Sequence, residues 1–292
     1  MGKIMKTATS SIACVGMIFG GIAAGTPVFG SVDAAAVTKK KQTVKTSKNT
    51  FKTNDGHAAF GMGVNKSKLH GKITYTSSNK SVATVDGNGL VHPKHYGKTA
   101  ITIKAAGNKN YKSATKKVTV SLDPSVKRWE DTLDKLAKDI YKMGATYGNN
   151  EKIAHSYAQL KKKKKTHCAG YVSIAMQNYG LAKKGTYFYL GGSSKINGPD
   201  KSIFKNKNKY AVKKIGNKTI DYCYKHGLIK TGDIVGRGKS GYHTMVFKEK
   251  KNGNYYFYSM TSKATVKNRI IEKKPYKPGY KLGVRIRIRA LK

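Results

Sequence analysis

Val82-Ala83-Thr84-Val85-Asp86-Gly87-Asn88-Gly89-Leu90-Val91 decides the first half of the chain. Two short apolar runs flank a tetrad of Asp, Asn and Gly. Those residues tolerate the positive φ of a tight hairpin turn, so the stretch predicts strand, turn, strand. Working outward, the same period of two returns in Ile73-Thr-Tyr75-Thr, Ala100-Ile101-Thr-Ile103 and Val118-Thr-Val120, each bounded by turn residues. Short strands at this spacing over residues 38–122 predict a small all-β sandwich. After Asp123-Pro124-Ser125, the residues Val126, Trp129, Leu133, Leu136, Ile140 and Met143 recur every three or four positions. That spacing predicts an amphipathic helix capped by Ser125 and ending near Gly144. Glu130, Asp131, Asp134 and Asp139 on its other face predict a solvated surface with local salt bridges.

The 292 residues include 58 Lys and Arg against 14 Asp and Glu, a formal charge of +44, with 19 Tyr and 38% hydrophobic residues. A chain so rich in aromatics is not a disordered basic tail, and its length supports a substantial core. Three Cys, at 14, 168 and 223, exclude a disulfide framework. Lys3 and Lys6 precede an uncharged Gly/Ala-rich run from Ile12 to Phe29, and Ala34-Ala35-Ala36 supplies small residues at a cleavage point. Residues 1–36 are therefore expected to be a secretory signal peptide. A retained anchor is the competing reading, opposed by Gly20, Gly21, Gly25 and Pro27. No later stretch is long and apolar enough to span a bilayer, so no integral membrane segment is expected in the mature chain.

Thr166-His167-Cys168-Ala169-Gly170-Tyr171-Val172 opens a second helical stripe that continues through Ala175, Met176 and Tyr179. Cys168 thus falls at a helix N-terminus, where unpaired amides and the helix dipole favour a thiolate and make the residue a candidate nucleophile. Cys223, with apolar neighbours, is expected to be core. Among eight His, His92 and His95 lack companions for a metal site and are expected in a surface loop, and His155 and His226 look exposed. His167 adjoins Cys168, but adjacent side chains at a helix entry diverge. Gly232-Asp-Ile-Val235 and Tyr242-His-Thr-Met-Val-Phe247 predict two strands joined by the Gly-rich loop Gly236–Gly241. Alternation puts His243, Met245 and Phe247 on one face, expected to pack against the nucleophile helix, with His243 as the base.

Two resemblances extend these readings. The run Tyr75 through Gly89-Leu-Val, with Gly97-Lys-Thr-Ala-Ile-Thr-Ile103 and Asn110-Tyr-Lys-Ser-Ala-Thr115, resembles the bacterial Ig-like domain (group 2) of surface proteins, a non-catalytic spacer or adhesive unit. Cys168-Ala-Gly-Tyr-Val-Ser173, Thr231-Gly-Asp-Ile-Val235 and Tyr242-His243-Thr-Met-Val-Phe247 are similar, in order, to the Cys-Ser-Gly-Phe-Val, Pro-Gly-Asp-Ile-Val and His-Val-Gly-Ile-Tyr motifs of NlpC-type and CHAP cell-wall cysteine hydrolases. This second resemblance implies an α+β fold, an Ig-like sandwich followed by a papain-like domain over residues 125–292. It also implies a thiol peptidoglycan endopeptidase or amidase with Cys168 and His243 catalytic. Gly144-Ala-Thr-Tyr147 is similar to the families' Gly-Thr-Pro-Tyr segment, which makes Tyr147 a weaker candidate. Those families usually place Asp or Asn where His167 stands. Their third polar residue should fall in Asn254–Ser259, where Tyr258 or Ser259 are the available groups. No cofactor or metal is implied.

The Lys161–Lys165 run, the Lys201–Lys218 and Lys273–Lys281 clusters and the alternating Arg285, Arg287 and Arg289 are expected to form a basic surface. Lys161–Lys165 is expected to be a flexible solvated loop, and the three arginines to point outward from a terminal strand. For an exported chain the polyanions at hand are anionic cell-wall polymers. Nucleic acid is disfavoured, because the charge is dispersed and no nucleic-acid-binding motif is present. The expected function is a secreted hydrolase, extracellular or cell-wall associated. A non-catalytic adhesin and an acyltransferase of the same fold are the alternatives.

Overall fold

The computed structural model describes residues 38–148, 153–191, 195–238, 242–261 and 275–291. The expected signal peptide, residues 239–241 of the Gly-rich loop, and Lys273 and Lys274 of the Lys273–Lys281 cluster lie outside the described residues. Strands β1 (Thr50–Asn54), β2 (Phe60–Gly61), β3 (Ile73–Ser77), β4 (Ala83–Val85), β5 (Leu90–Pro93), β6 (Gly97–Ala105) and β7 (Ala114–Asp123) make the first module. They form two sheets, β1-β7-β6-β3 and β2-β5-β4. Both close on one core that includes Val44, Met62, Val91, Ile101, Ile103, Val118 and Val120. At the hairpin between β4 and β5, the Asp86 carboxylate accepts the Asn88 and Leu90 amides at 2.9 and 3.0 Å. Gly89 turns at φ 86°, and a Cβ there would sit 2.7 Å from the Tyr75 ring, so only glycine fits.

The second module contains α1 (Val126–Lys142), β8 (Thr146–Tyr147), α2 (Tyr157–Lys163), β9 (Lys165–Thr166), α3 (Cys168–Asn178), β10 (Tyr189–Gly191), β11 (Lys195–Asn197) and a 3-10 turn at Lys201–Lys205. There follow β12 (Tyr210–Thr219), α4 (Ile220–Lys225), β13 (Ile234–Arg237), β14 (Thr244–Lys251), β15 (Asn254–Tyr258) and β16 (Lys281–Ile288). A five-stranded sheet in the order β12-β16-β13-β14-β15 is antiparallel throughout. Helices α1 and α3 cover one face, with Trp129, Leu133, Tyr171, Val172 and Met176 against Val246, Tyr258, Val284 and Ile286. Helix α4 covers the other, with Ile220 and Cys223 against Val235, Met245, Phe247 and Phe257. The chain is mostly β with some helices.

Two charge expectations are corrected. Strand β16 runs inside the sheet between β12 and β13, so Arg285 is buried and Arg287 pairs with the buried Asp233 carboxylate at 2.7 Å rather than pointing outward. Lys161–Lys163 form the last turn of α2, Lys164 caps it at φ 47°, and Lys165 enters β9. The run is therefore ordered, and its cations sit where the carbonyl end of the helix favours them. Helix α1 begins as expected, with the Ser125 side chain accepting the Arg128 amide, and carries the i,i+4 pairs Lys127–Asp131 and Lys135–Asp139.

The modules share a buried polar joint. Asp55, from the turn after β1, is 0% exposed. Its carboxylate accepts the Ser125 amide at 3.0 Å, the Ser125 hydroxyl at 2.7 Å, the Tyr179 hydroxyl at 3.0 Å and the Tyr96 amide at 3.1 Å. Ser125 is the cap of α1 and Tyr179 the C-terminal cap of α3. Arg128 donates back to the Asp55 and Pro93 carbonyls. His95, expected in a free surface loop, instead pairs its Nε2 with the Tyr179 carbonyl at 2.9 Å.

Candidate active site

Parallel pairing of β8 with β9 sets Tyr147 opposite Thr166, two residues before Cys168. The chain then turns into α3 at His167, whose extended backbone (φ −146°) marks it as the cap. His167 Nδ1 accepts the Gly170 amide at 3.1 Å, and Nε2 lies 3.0 Å from the Tyr187 hydroxyl. Because Nδ1 accepts, the single proton of the neutral ring sits on Nε2 and is donated to Tyr187. Burial holds this imidazole below its ordinary pKa. Both nitrogens are therefore occupied, and His167 does the capping work that Asp or Asn does elsewhere; it is not placed to act as a base.

Gly170 has a separate reason to be glycine. A Cβ there would run into the Thr166 hydroxyl and come within 3.2 Å of the Ala154 carbonyl, the two groups that hydrogen-bond to each other beneath α3. Gly170→Ala is expected to destabilise the protein by about 2 kcal/mol through overpacking, measured as a shift in the urea midpoint. An unchanged midpoint would contradict the close approach.

Cys168 is buried. The amides of Thr244, Ala169 and Cys168 itself and the Tyr147 hydroxyl all favour its thiolate, yet burial outweighs them and pushes the thiol above its ordinary pKa. The helix N-terminus was expected to lower it; the amides are present, but desolvation is the larger effect. Burial, with the neighbouring Cys168, also raises the Tyr147 hydroxyl to about 12. Cys168 thus rests as a neutral thiol beside a protonated phenol.

His243 precedes β14, and its amide donates to the Leu190 carbonyl at 3.1 Å. The expected facing is corrected here. Thr244 and Val246 point to the side of α1 and α3, while Met245 and Phe247 join the core under α4. His243 therefore does not face Cys168 across the sheet, and among the described residues no hydrogen bond joins the two. What reaches the thiol is the amide of the very next residue, Thr244, so any meeting of His243 with Cys168 occurs around the end of β14. His243 Nε2 lies 2.8 Å from the Ser259 hydroxyl and 3.1 Å from the Tyr276 hydroxyl. Burial first, then the charge of Arg237, lowers its pKa to about 4, so the ring is neutral at pH 7.

Tyr258 is corrected as a partner of His243. Alternation along β15 turns it toward α1, where its hydroxyl lies 3.4 Å from the Glu130 carboxylate. Ser259, one residue on, takes the opposite side and reaches the imidazole. Tyr276 was not anticipated: Pro275-Tyr276-Lys277-Pro278 reads only as a basic turn. Cys223 is core, as its neighbours indicate. His155, expected to be exposed, stacks on Tyr187 with ring centroids 4.1 Å apart. Among the described residues no three His, Cys, Asp or Glu side chains gather as a metal site, and no helix is long and apolar enough to cross a membrane.

Comparison with known families assigns one of the two modules. No curated protein matches the chain, and no NlpC or CHAP family model does. Residues 31–118 match the bacterial Ig-like domain (group 2), a span that ends within β7. The N-terminal sandwich is therefore a bacterial Ig-like domain, of a kind that occurs in bacterial surface proteins.

Proposed function

We propose that the second module is a papain-like thiol hydrolase, exported by the N-terminal signal, that cuts a peptide or amide bond of peptidoglycan. The observation that supports the reading is the buried Cys168 at the start of α3, held against the amide of Thr244, the residue that follows His243, whose neutral ring is anchored through Nε2. With Nε2 engaged by Ser259 and Tyr276, Nδ1 is the nitrogen assigned to take the thiol proton. In the first step the Cys168 S–H proton passes to His243 as the sulfur bonds to the substrate carbonyl carbon. The amides at the start of α3 stabilise the resulting oxyanion. The imidazolium then protonates the departing amine as the C–N bond breaks, and water hydrolyses the thioester. The order of the three motifs, similar to the cell-wall hydrolases, supports the same reading.

The Ig-like domain and the basic surface favour a second reading, a wall-binding adhesin without turnover. Wild-type protein and Cys168→Ala, each starting at Val37, are to be incubated with purified peptidoglycan and the soluble fragments weighed by mass spectrometry. Release by wild type alone is expected, and the new termini identify the bond. Binding by both proteins with no release would overturn the hydrolase in favour of the adhesin.

A further inference from the structure

Four aromatic side chains form a row in which each ring meets the next. His155 stacks on Tyr187 (4.1 Å, 12°), Tyr187 meets Tyr189 (6.1 Å), and Tyr189 meets Tyr242 edge to face (5.1 Å, 86°). Two members of the row, Tyr187 and Tyr242, are tied to the proposed catalytic groups. Tyr187 shares a hydrogen bond with the cap residue His167 and lies near enough to Cys168 to have its hydroxyl pKa raised, after burial, by the thiol. Tyr242 directly precedes His243, bridges to Gly191 and is 62% exposed. A large ring left in water one residue from His243 indicates a surface meant to be covered.

The row is also uncharged. In a chain with 58 Lys and Arg, none of its members carries a cation, although the surrounding surface is basic. A phosphodiester polymer needs cations to meet its charge. A neutral ring with apolar C–H faces and hydroxyl edges suits tyrosines, whose faces are electron-rich and whose rims bear O–H groups.

We propose that Tyr187, Tyr189 and Tyr242 form a subsite for a pyranose ring of the glycan, which makes the scissile bond the amide joining the sugar's lactyl group to the stem peptide. This rests on the hydrolase reading and deepens it. A sugar lying on the row leaves its lactyl carbonyl at the thiol, and binding energy gained remotely from the reacting atoms serves to orient that carbonyl.

The test titrates N-acetylmuramoyl-L-Ala-D-isoGln, and the same dipeptide without the sugar, into Cys168→Ala protein by calorimetry. The sugar-bearing ligand is expected to bind at least about tenfold tighter. Tyr189→Ala or Tyr242→Ala should remove most of that advantage, and the corresponding Phe variants should keep it. Equal affinity for the two ligands, no detectable binding of either, or an advantage indifferent to the Ala substitutions would overturn the subsite. The two readings fail separately. Wild-type protein that digests peptidoglycan without a sugar preference loses the subsite alone, whereas sugar-dependent binding without digestion loses the hydrolase.

Discussion

Asp55→Ala is expected to lower the stability of the whole chain by about 4 kcal/mol, and to do so in the second module as much as in the first. The substitution strands the Tyr96 amide and takes a carboxylate that is 0% exposed away from the Ser125 amide, the Ser125 hydroxyl and the Tyr179 hydroxyl. It leaves the Ser125 amide the Tyr179 oxygen at 2.9 Å, and the Tyr179 hydroxyl the Ser125 carbonyl at 3.2 Å. Each buried donor left without a partner costs roughly 1–3 kcal/mol, reduced where water can enter the space. Against a total stability of about 5–15 kcal/mol the loss is large. Asn is expected to recover only part of it, because its NH2 would face donors. Urea unfolding followed by tyrosine fluorescence and by far-UV circular dichroism is the measurement. One coincident transition, moved to lower urea in Asp55→Ala, is expected. Two separate transitions, with the mutation moving only the first, would show that the joint is dispensable to the second module.

The prediction follows from what the joint connects. Ser125 starts α1, and Tyr179 ends the helix whose other end carries Cys168. Tyr179 also stacks on Trp129, and its carbonyl is held by His95. An Ig-like domain on a flexible linker would leave these groups to solvent. Here the domain supplies the carboxylate that both helices need, so a fragment beginning at Ser125 exposes two unsatisfied helix ends.

Much of this was legible in the sequence where the signal is local. The turn at Asp86–Gly89 and helix α1 follow from residue types and spacing within a dozen positions, and the structure has both. Strand β1 was not legible, because Thr50-Phe-Lys-Thr-Asn54 carries one apolar residue and takes its place from parallel pairing with β7, about 70 positions away. Asp55 lies in Asn54-Asp-Gly-His57, which reads as an exposed turn; its donors come from residues 41 to 124 positions distant. The assignment of Cys168 and His243 rests on the order of the motifs, whereas the face of β14 that carries Met245 and Phe247 lies under α4 and not against α3. Periodicity says which residues share a face and not which helix covers it. The hydroxyl of Tyr276, 33 positions beyond His243, had no signal in the chain at all.

The pH profile separates this site from the ion-paired kind. Where a cysteine is strongly acidified by its histidine, the resting enzyme is thiolate and imidazolium, and activity is lost at alkaline pH as the imidazolium gives up its proton. In this site both shifts run the other way: burial raises Cys168, and burial with Arg237 lowers His243 to about 4. The groups around the imidazole are the cationic Arg237 and the neutral hydroxyls of Ser259 and Tyr276, and no carboxylate among the described residues is hydrogen-bonded to it to stabilise its protonated form. The proposed base is thus neutral, in the form that the general-base reading requires, at every pH above about 4. The expected kcat/KM is flat from about pH 5 to 8 and falls tenfold per unit below about 4. His243→Ala should lower the plateau by about 10²–10⁴ and abolish the acid limb. Stability follows the same sign. An unfolded His titrates near 6.5, so between 6.5 and 4 the unfolded chain binds the extra proton, and up to about 3 kcal/mol is lost as pH falls through that window. Peptidoglycan digestion followed from pH 3.5 to 9 decides the matter. A bell with an alkaline limb would mean that the thiol and the imidazole exchange their proton before substrate arrives, and the general-base mechanism would give way to an ion pair.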